Sequence, residues 1–367
     1  MKVLIVSDAQ SVHTQRWVSS LNGKGVEIVL YSIVPYDGDF YTSKGIRCHY
    51  FDLFNYKREN YGILYPIWRH IQAIKDLKRI IKEENPQILH SHFVTSYSLI
   101  AALSGFHPLI ESVWGSDVYI YPKKSILHKW LVKFTLGKAD KILSTSKVMA
   151  EETHKYTKKE IEITPFGVDT SLFCRNGRRL EGKFIVGSVK SLSSNYGNEY
   201  ILRAFAELVR RNPDADCTLE LIGKGPHYGK LTLLAWTLGI DDKVNFRGFI
   251  PNDSLPQEFE KFSITCYMSN SESFGVSAIE SMACECPVVA SDADGFREVI
   301  EDGVTGIIVP RKDYMAAADA MEKFLHNRDL VEKMGKAGRE RVCGLYSWED
   351  NVNSMIQIYL CLGNTGN

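Results

Sequence analysis

Two acids with seven residues between them, Glu272 and Glu280, are the clearest chemical signal in the chain. Glu272 falls in a polar, turn-like stretch, Asn270 to Ser273. Glu280 falls inside the run Val276 to Ala283, whose apolar residues Val276, Ile279, Met282 and Ala283 recur at helical spacing. Phe274-Gly275-Val276 sits at the predicted helix start. Free backbone N–H groups and the positive dipole end favour a phosphate there, and Gly275 lets the backbone approach a ligand closely. Eight positions of helix span roughly 12 Å, the scale that sets one carboxylate beyond each side of a diphosphate. Ionised acids are strong acceptors for sugar hydroxyls. The plainer reading is two exposed acids near a helix N-terminus, where acids are common anyway.

The surroundings decide between the two. From Ser263 to Gly306 the chain reads strand, loop, helix, strand, loop, helix. It includes Cys286-Pro287-Val288-Val289-Ala290-Ser291, Gly295-Phe296-Arg297-Glu298-Val299-Ile300 and Asp302-Gly303-Val304-Thr305-Gly306. This stretch resembles the E-x7-E region of retaining, nucleotide-sugar-dependent glycosyltransferases of family 4 (glycosyl transferases group 1), which have the GT-B fold. That fold is α/β: two Rossmann-like, doubly wound parallel-sheet domains facing each other across a cleft. The resemblance implies that Glu272 contacts the transferred sugar, that Glu280 holds the nucleotide ribose, and that the backbone of Phe274, Gly275 and Val276 holds the sugar and the distal phosphate.

Other site residues follow from the same resemblance. After the strand Phe184 to Val189 the family carries an Arg and, five residues on, a Lys, both serving the diphosphate. Here Lys190 replaces the Arg and Asn195 stands at the Lys position. An amide donates a hydrogen bond but carries no charge for a leaving diphosphate. Either Lys190 does the work of both, or Lys224 or Arg297 helps, or activity is weak. Gly223-Lys224-Gly225-Pro226 is similar to the family's turn beside the nucleotide. Val244 to Ile250 resembles the loop whose backbone reads the base, which places Phe249 and Ile250 at the donor. Trp114 occupies a position where many members have a histidine; Trp cannot serve as acid or base, so it stacks on a sugar or shapes the pocket. Asp117 either accepts a hydrogen bond from a hydroxyl, as a catalytic candidate, or caps the following segment. His13, in a segment similar to the family's H-T-Q-R-W type, contacts acceptor or donor phosphates or is structural. His90 and His92 end an H-x-H turn; His90 suits a core position and His92 the cleft. Asp292-Ala293-Asp294 has the form of a metal motif, but its register places it where the family has glycines. No metal or cofactor is expected.

The elements that position these residues alternate strand and helix. Strands are expected at Lys2–Val6, Glu27–Tyr31, Leu109–Val113, Lys141–Thr145 and Leu219–Gly223, with helices at 14–21, 65–84, 126–137, 314–325 and 329–342. Domain 1–174 is expected to bind the acceptor and domain 175–345 the donor, with a charged, glycine-containing linker at Cys174 to Gly182. A last helix, about 346–367, is expected to pack back on the first domain. There is no G-x-G-x-x-G after Val6, so dinucleotide oxidoreduction is poorly supported.

Composition bounds the rest. A chain of 367 residues is long enough for two full cores. No apolar run approaches a membrane span, and Met1 to Asp8 reads as a buried strand rather than a signal peptide. Eight scattered cysteines without C-x-x-C fit reduced thiols in a cytoplasmic protein. The zero net charge hides an asymmetry: residues 1–175 carry 23 Lys+Arg against 17 Asp+Glu, and residues 176–367 carry 21 against 27. A basic first half suits an anionic membrane surface or phosphorylated lipid as much as solvated lysines. The basic helices 65–84 and 126–137 would be interfacial only if apolar residues were exposed beside the basic ones. Expected partners are therefore a nucleotide-sugar donor, a saccharide or lipid-linked acceptor and, through the basic first half, the inner face of the cell membrane. Nucleic acid is not among them. The expected activity is retaining sugar transfer in bacterial surface polysaccharide or glycoconjugate synthesis. The alternative is a nucleotide-sugar-binding protein with weak or no transfer.

Overall fold

The computed structural model describes residues 1–54, 65–175 and 182–364. The chain divides into two compact units, Met1–Pro165 with Asn351–Asn367, and Phe166–Asp350. The boundary lies nine residues before the expected one, for a local reason. Val168 N–H donates to the Tyr346 carbonyl and Trp348 N–H to the Val168 carbonyl. The Arg339 guanidinium also donates to the carbonyls of Thr170 and Phe173. Residues 166–173 are thus stitched to the second unit, and the expected linker lies largely outside the described residues.

The first unit holds seven parallel strands: β1 (Lys2–Val6), β2 (Glu27–Ser32), β3 (Arg47–Tyr50), β4 (Ile88–His92), β5 (Leu109–Val113), β6 (Lys141–Ser144) and β7 (Ile161–Ile163). Their order is β3-β2-β1-β4-β5-β6-β7. The central strands are buried, as a sheet covered on both faces requires; β1 is mostly apolar, while β4 and β5 also bury His90, Ser91, His92, Glu111 and Ser112. On one face Leu77 and Ile80 of the helix Tyr65–Glu84 meet Leu4, Val29 and Leu89. In the last helix, Trp348–Asn364, the Tyr359 hydroxyl lies 2.7 Å from His90 Nδ1.

The second unit holds β8 (Phe184–Val189), β9 (Cys217–Ile222), β10 (Val244–Gly248), β11 (Ile264–Tyr267), β12 (Val288–Ser291) and β13 (Gly306–Val309). All six strands are parallel, in the order β10-β9-β8-β11-β12-β13. Val244 to Gly248, expected as loop, is the edge strand; only Phe249 and Ile250 beyond it are irregular. In each sheet the chain reverses direction once, between β1 and β4 and between β8 and β11. Ligands of open α/β sheets bind outside the carboxyl ends of strands at such switch points. All eight cysteines are free. Among the described residues no helix is long and apolar enough to cross a membrane.

Candidate active site

At the second switch point β8 ends in Val189, so Lys190 is the first residue of its loop. β11 ends in Tyr267, and the loop after it carries Glu272. These two loops meet. Lys190 Nζ donates to Glu272 Oε2 at 2.7 Å, with both side chains about one-tenth exposed (12% and 11%). The ammonium also lies 5.0 Å from the centre of the Tyr196 ring and 5.9 Å from that of Phe296, and an aromatic face shelters a cation electrostatically. Sequence reasoning passed over both rings, because their partner is fixed by the fold and not by spacing.

The acids keep their separate places. The Glu272 carbonyl accepts from Gly295 N–H at 2.9 Å. A Cβ at Gly295 would lie 2.5 Å from Phe274 N and 2.8 Å from the Glu272 carbonyl oxygen, so only glycine permits this approach. Glu280, in the helix Val276–Ala283, is 5% exposed, and the Asn252 amide donates to its Oε1 at 3.0 Å. Gly275 caps that helix with φ +102°, a conformation that favours glycine. The Phe274 side chain is buried, edge-on to Phe166 and Tyr346. Its backbone is what remains for a ligand.

The glycines of Gly223-Lys224-Gly225 turn out to be needed by the protein itself. Lys190 N–H donates to the Ile222 carbonyl and Leu192 N–H to the Lys224 carbonyl. A Cβ would lie 2.0 Å from the Lys190 carbonyl oxygen at Gly223 and 2.3 Å from the Leu192 carbonyl oxygen at Gly225. Gly223 N–H in turn donates to the Gly248 carbonyl at 2.7 Å, next to exposed Phe249 and half-buried Ile250. The loops carrying Lys190, Gly223, Phe249 and, through Asn252, Glu280 therefore form one connected edge.

Asn195 has a defined task. Its amide donates to the Ser271 carbonyl at 3.0 Å, its own carbonyl accepts from Asn270 N–H at 2.7 Å, and Asn270 Nδ2 reaches the Ser194 carbonyl. It fastens the Lys190 loop to the Glu272 loop. Lys224 and Arg297 are exposed, and Asp292 accepts from Arg311 Nε at 2.9 Å, with Asp294 3.8 Å from the same guanidinium. The same Arg311 donates to the Asn270 carbonyl. The two aspartates thus serve an ion pair at the rim. Among the described residues no group of three or more His, Cys, Asp or Glu could hold a metal.

In the first unit the end of β4, the helix Val12–Gly23 that follows β1 and the loop after β5 meet at Trp114. Its ring lies 4.4 Å from that of His92 and edge-on, 6.1 Å, from that of His13, which is exposed. Asp117 requires a correction. It is fully buried, and its carboxylate accepts from the backbone N–H groups of Val94 (2.9 Å), Gly115 (2.6 Å) and Trp114 (3.2 Å). Burial raises its pKa, and those backbone bonds oppose the rise. Asp117 positions the Trp114 turn, with its carboxylate already engaged by backbone donors rather than standing open to a hydroxyl. His90 and His92 are both buried, so His92 does not face solvent. His90 lies 2.7 Å from both the Tyr359 and Ser112 hydroxyls and, by burial, is held down to about 3; His92, beside it, is also well below the usual imidazole range.

Comparison with known proteins bears on both units. The family model described as "Glycosyl transferases group 1" matches residues 174–341, and "Glycosyl transferase 4-like" matches residues 2–146. The N-acetyl-alpha-D-glucosaminyl L-malate synthase of Bacillus anthracis is 25% identical over 298 residues, 77% of each chain. Sucrose-phosphate synthase from Thermosynechococcus elongatus superposes with a TM-score of 0.83 at 19% identity, covering 100% of both chains. Anabaena HepE in complex with UDP and glucose gives 0.79 at 16%, covering 99% of this chain and 100% of that one.

Proposed function

Since the chain is a glycosyltransferase of the GT-B, family 4 type, we propose that it transfers a sugar, with retention, from a nucleoside-diphosphate sugar to a hydroxyl of a saccharide or lipid-linked acceptor. The observation that carries this reading is the Lys190–Glu272 pair at the carboxyl edge of the second sheet, beside the helix start at Gly275. On donor binding Lys190 moves its charge to the diphosphate, and the Gly275 and Val276 N–H groups face the distal phosphate. Glu272, released from Lys190, accepts from the sugar hydroxyls. Glu280, oriented by Asn252, holds the ribose. The bond from the anomeric carbon to the phosphate oxygen breaks, the acceptor oxygen bonds to that carbon from the same face, and its proton passes to the departing phosphate. Asn195, committed to the Ser271 carbonyl, leaves Lys190 as the cation at this edge that meets the leaving group. No divalent ion enters the scheme.

The donor is identified by a thermal-shift panel of UDP, GDP and ADP with their sugar conjugates, with and without Mg²⁺, since a ligand of the folded state raises its melting temperature. Release of nucleoside diphosphate and the anomeric configuration of the product are then followed by NMR. We expect one base to shift the protein without metal, and Lys190→Ala to abolish release. The absence of any shift and of any release across the panel refutes the reading.

A further inference from the structure

The helix Ile126–Lys138 in the first unit turns an apolar ridge to solvent. Ile126 is 89% exposed, Leu127 61% and Trp130 56%. At 100° per residue these three fall within one third of the helix circumference. Val132, Thr135 and Leu136 occupy the opposite side and are buried against the sheet. Lys129 and Lys133 flank the ridge on one edge and Lys138 on the other, all exposed. From Val118 to Ala139 the chain has five lysines and no acid. Among the described residues Lys123 is the one of these cations with an acidic neighbour, Glu152 at 3.7 Å.

An apolar ridge flanked by lysines is the pattern of a helix lying in a membrane interface. A second copy of this chain fits the face poorly, because about a two-fold axis these lysines would meet their own images without an intervening acid. We infer that this helix is a docking face for an anionic lipid surface, with Ile126, Leu127 and Trp130 entering the headgroup boundary and the lysines pairing with lipid phosphates. The exposed Ile67, Trp68 and Ile71 near the start of the helix Tyr65–Glu84 extend the same apolar character. That helix and Ile126–Lys138 both run antiparallel to the strands as crossovers. This places both N-terminal ends at the carboxyl edge of the sheet. The inference deepens the proposed use of a lipid-linked acceptor, but its test needs no donor and no transfer.

Full-length protein is sedimented with vesicles of phosphatidylcholine alone or mixed with phosphatidylglycerol, at low and high salt. Tryptophan emission is compared between the wild type and Trp130→Phe. We expect partition onto the anionic vesicles only, loss at high salt, and a blue shift that Trp130→Phe diminishes. Leu127→Glu and the pair Lys129→Glu/Lys133→Glu should each weaken partition at least about tenfold. Unchanged circular dichroism would exclude misfolding. Failure to bind anionic vesicles overturns the inference, as does binding that survives both variants. A wild-type dimer that Leu127→Glu converts to monomer, without lipid binding, would give the face to a second copy. Each of these outcomes leaves the donor panel above unaffected.

Discussion

Uncoupling Lys190 from Glu272 tests the site most directly. Two unit charges 2.7 Å apart attract by about 6 kcal/mol at an effective dielectric constant near 20, and desolvation of both ions takes back much of that. Removing one partner of a largely buried pair costs roughly 3 kcal/mol, because the other is left uncompensated. The two sides are unequal here. In Glu272→Ala the Lys190 ammonium keeps the Tyr196 and Phe296 ring faces. In Lys190→Ala the Glu272 carboxylate keeps, among the described residues, only the Ser269 hydroxyl, at 3.5 Å. Lys190→Ala is therefore the more damaging change. The double variant should recover about 2 kcal/mol against the sum of the singles. For a unit of this size, 1 kcal/mol corresponds to roughly 2–4 °C in melting temperature, so Lys190→Ala should lower the melting temperature of the second unit by about 6–12 °C. The ligand response separates this account from simple destabilisation. A diphosphate must displace Glu272 from Lys190 in the wild type but not in Glu272→Ala. The sugar-free nucleoside diphosphate should therefore bind Glu272→Ala up to about tenfold more tightly by titration calorimetry, while sugar transfer falls at least about a hundredfold. Weaker diphosphate binding by Glu272→Ala, or no coupling in the double variant, would refute the reasoning.

Two further expectations concern groups outside that pair. Glu111, on β5, is fully buried; burial pushes its carboxyl up to about 8, opposed by hydrogen bonds from Ser98 and Ser91. Its folded pKa lies above the ordinary 4.5, so between those values the folded state keeps a proton that the unfolded state has released. The stability that Glu111 contributes is complete below about 4.5 and is lost as pH rises to about 8, a decline of roughly 3–5 kcal/mol. Glu111→Gln should flatten that slope in pH-dependent urea denaturation of the first unit, and an unchanged slope would show that another group is responsible. Gly223→Ala sets a Cβ 2.0 Å from the Lys190 carbonyl oxygen at φ +145°. It should destabilise the second unit by more than about 2 kcal/mol and reduce transfer by displacing Lys190, read from a melting curve and an initial rate. Wild-type values for both would mean that the two loops are not in contact in solution.

The two units differ in how far local pattern reveals function. The buried strands β1, β5 and β8 and the helix Val276–Ala283 were legible to the residue, because a parallel sheet covered on both faces demands short apolar runs punctuated by turns. Lys190 and Glu272 were singled out by the family resemblance rather than by periodicity, and the fold sets both in loops beyond strands of the second sheet. Asn195 shows where the reading ends. Its type signals a missing charge, but its task, holding the Ser271 carbonyl, depends on a partner 76 positions away that no spacing reveals. Asp117 fails likewise: a polar residue after a strand looks available to a ligand until three backbone N–H groups are found on it. The helix Ile126–Lys138 was ambiguous in principle. Apolar residues occur on most of its circumference, and periodicity cannot say which of two apolar sides the sheet takes. Only packing assigns Val132 and Leu136 to the core and leaves Ile126, Leu127 and Trp130 outside. A surplus apolar face is costly in water unless something covers it, and the surrounding lysines narrow what that can be.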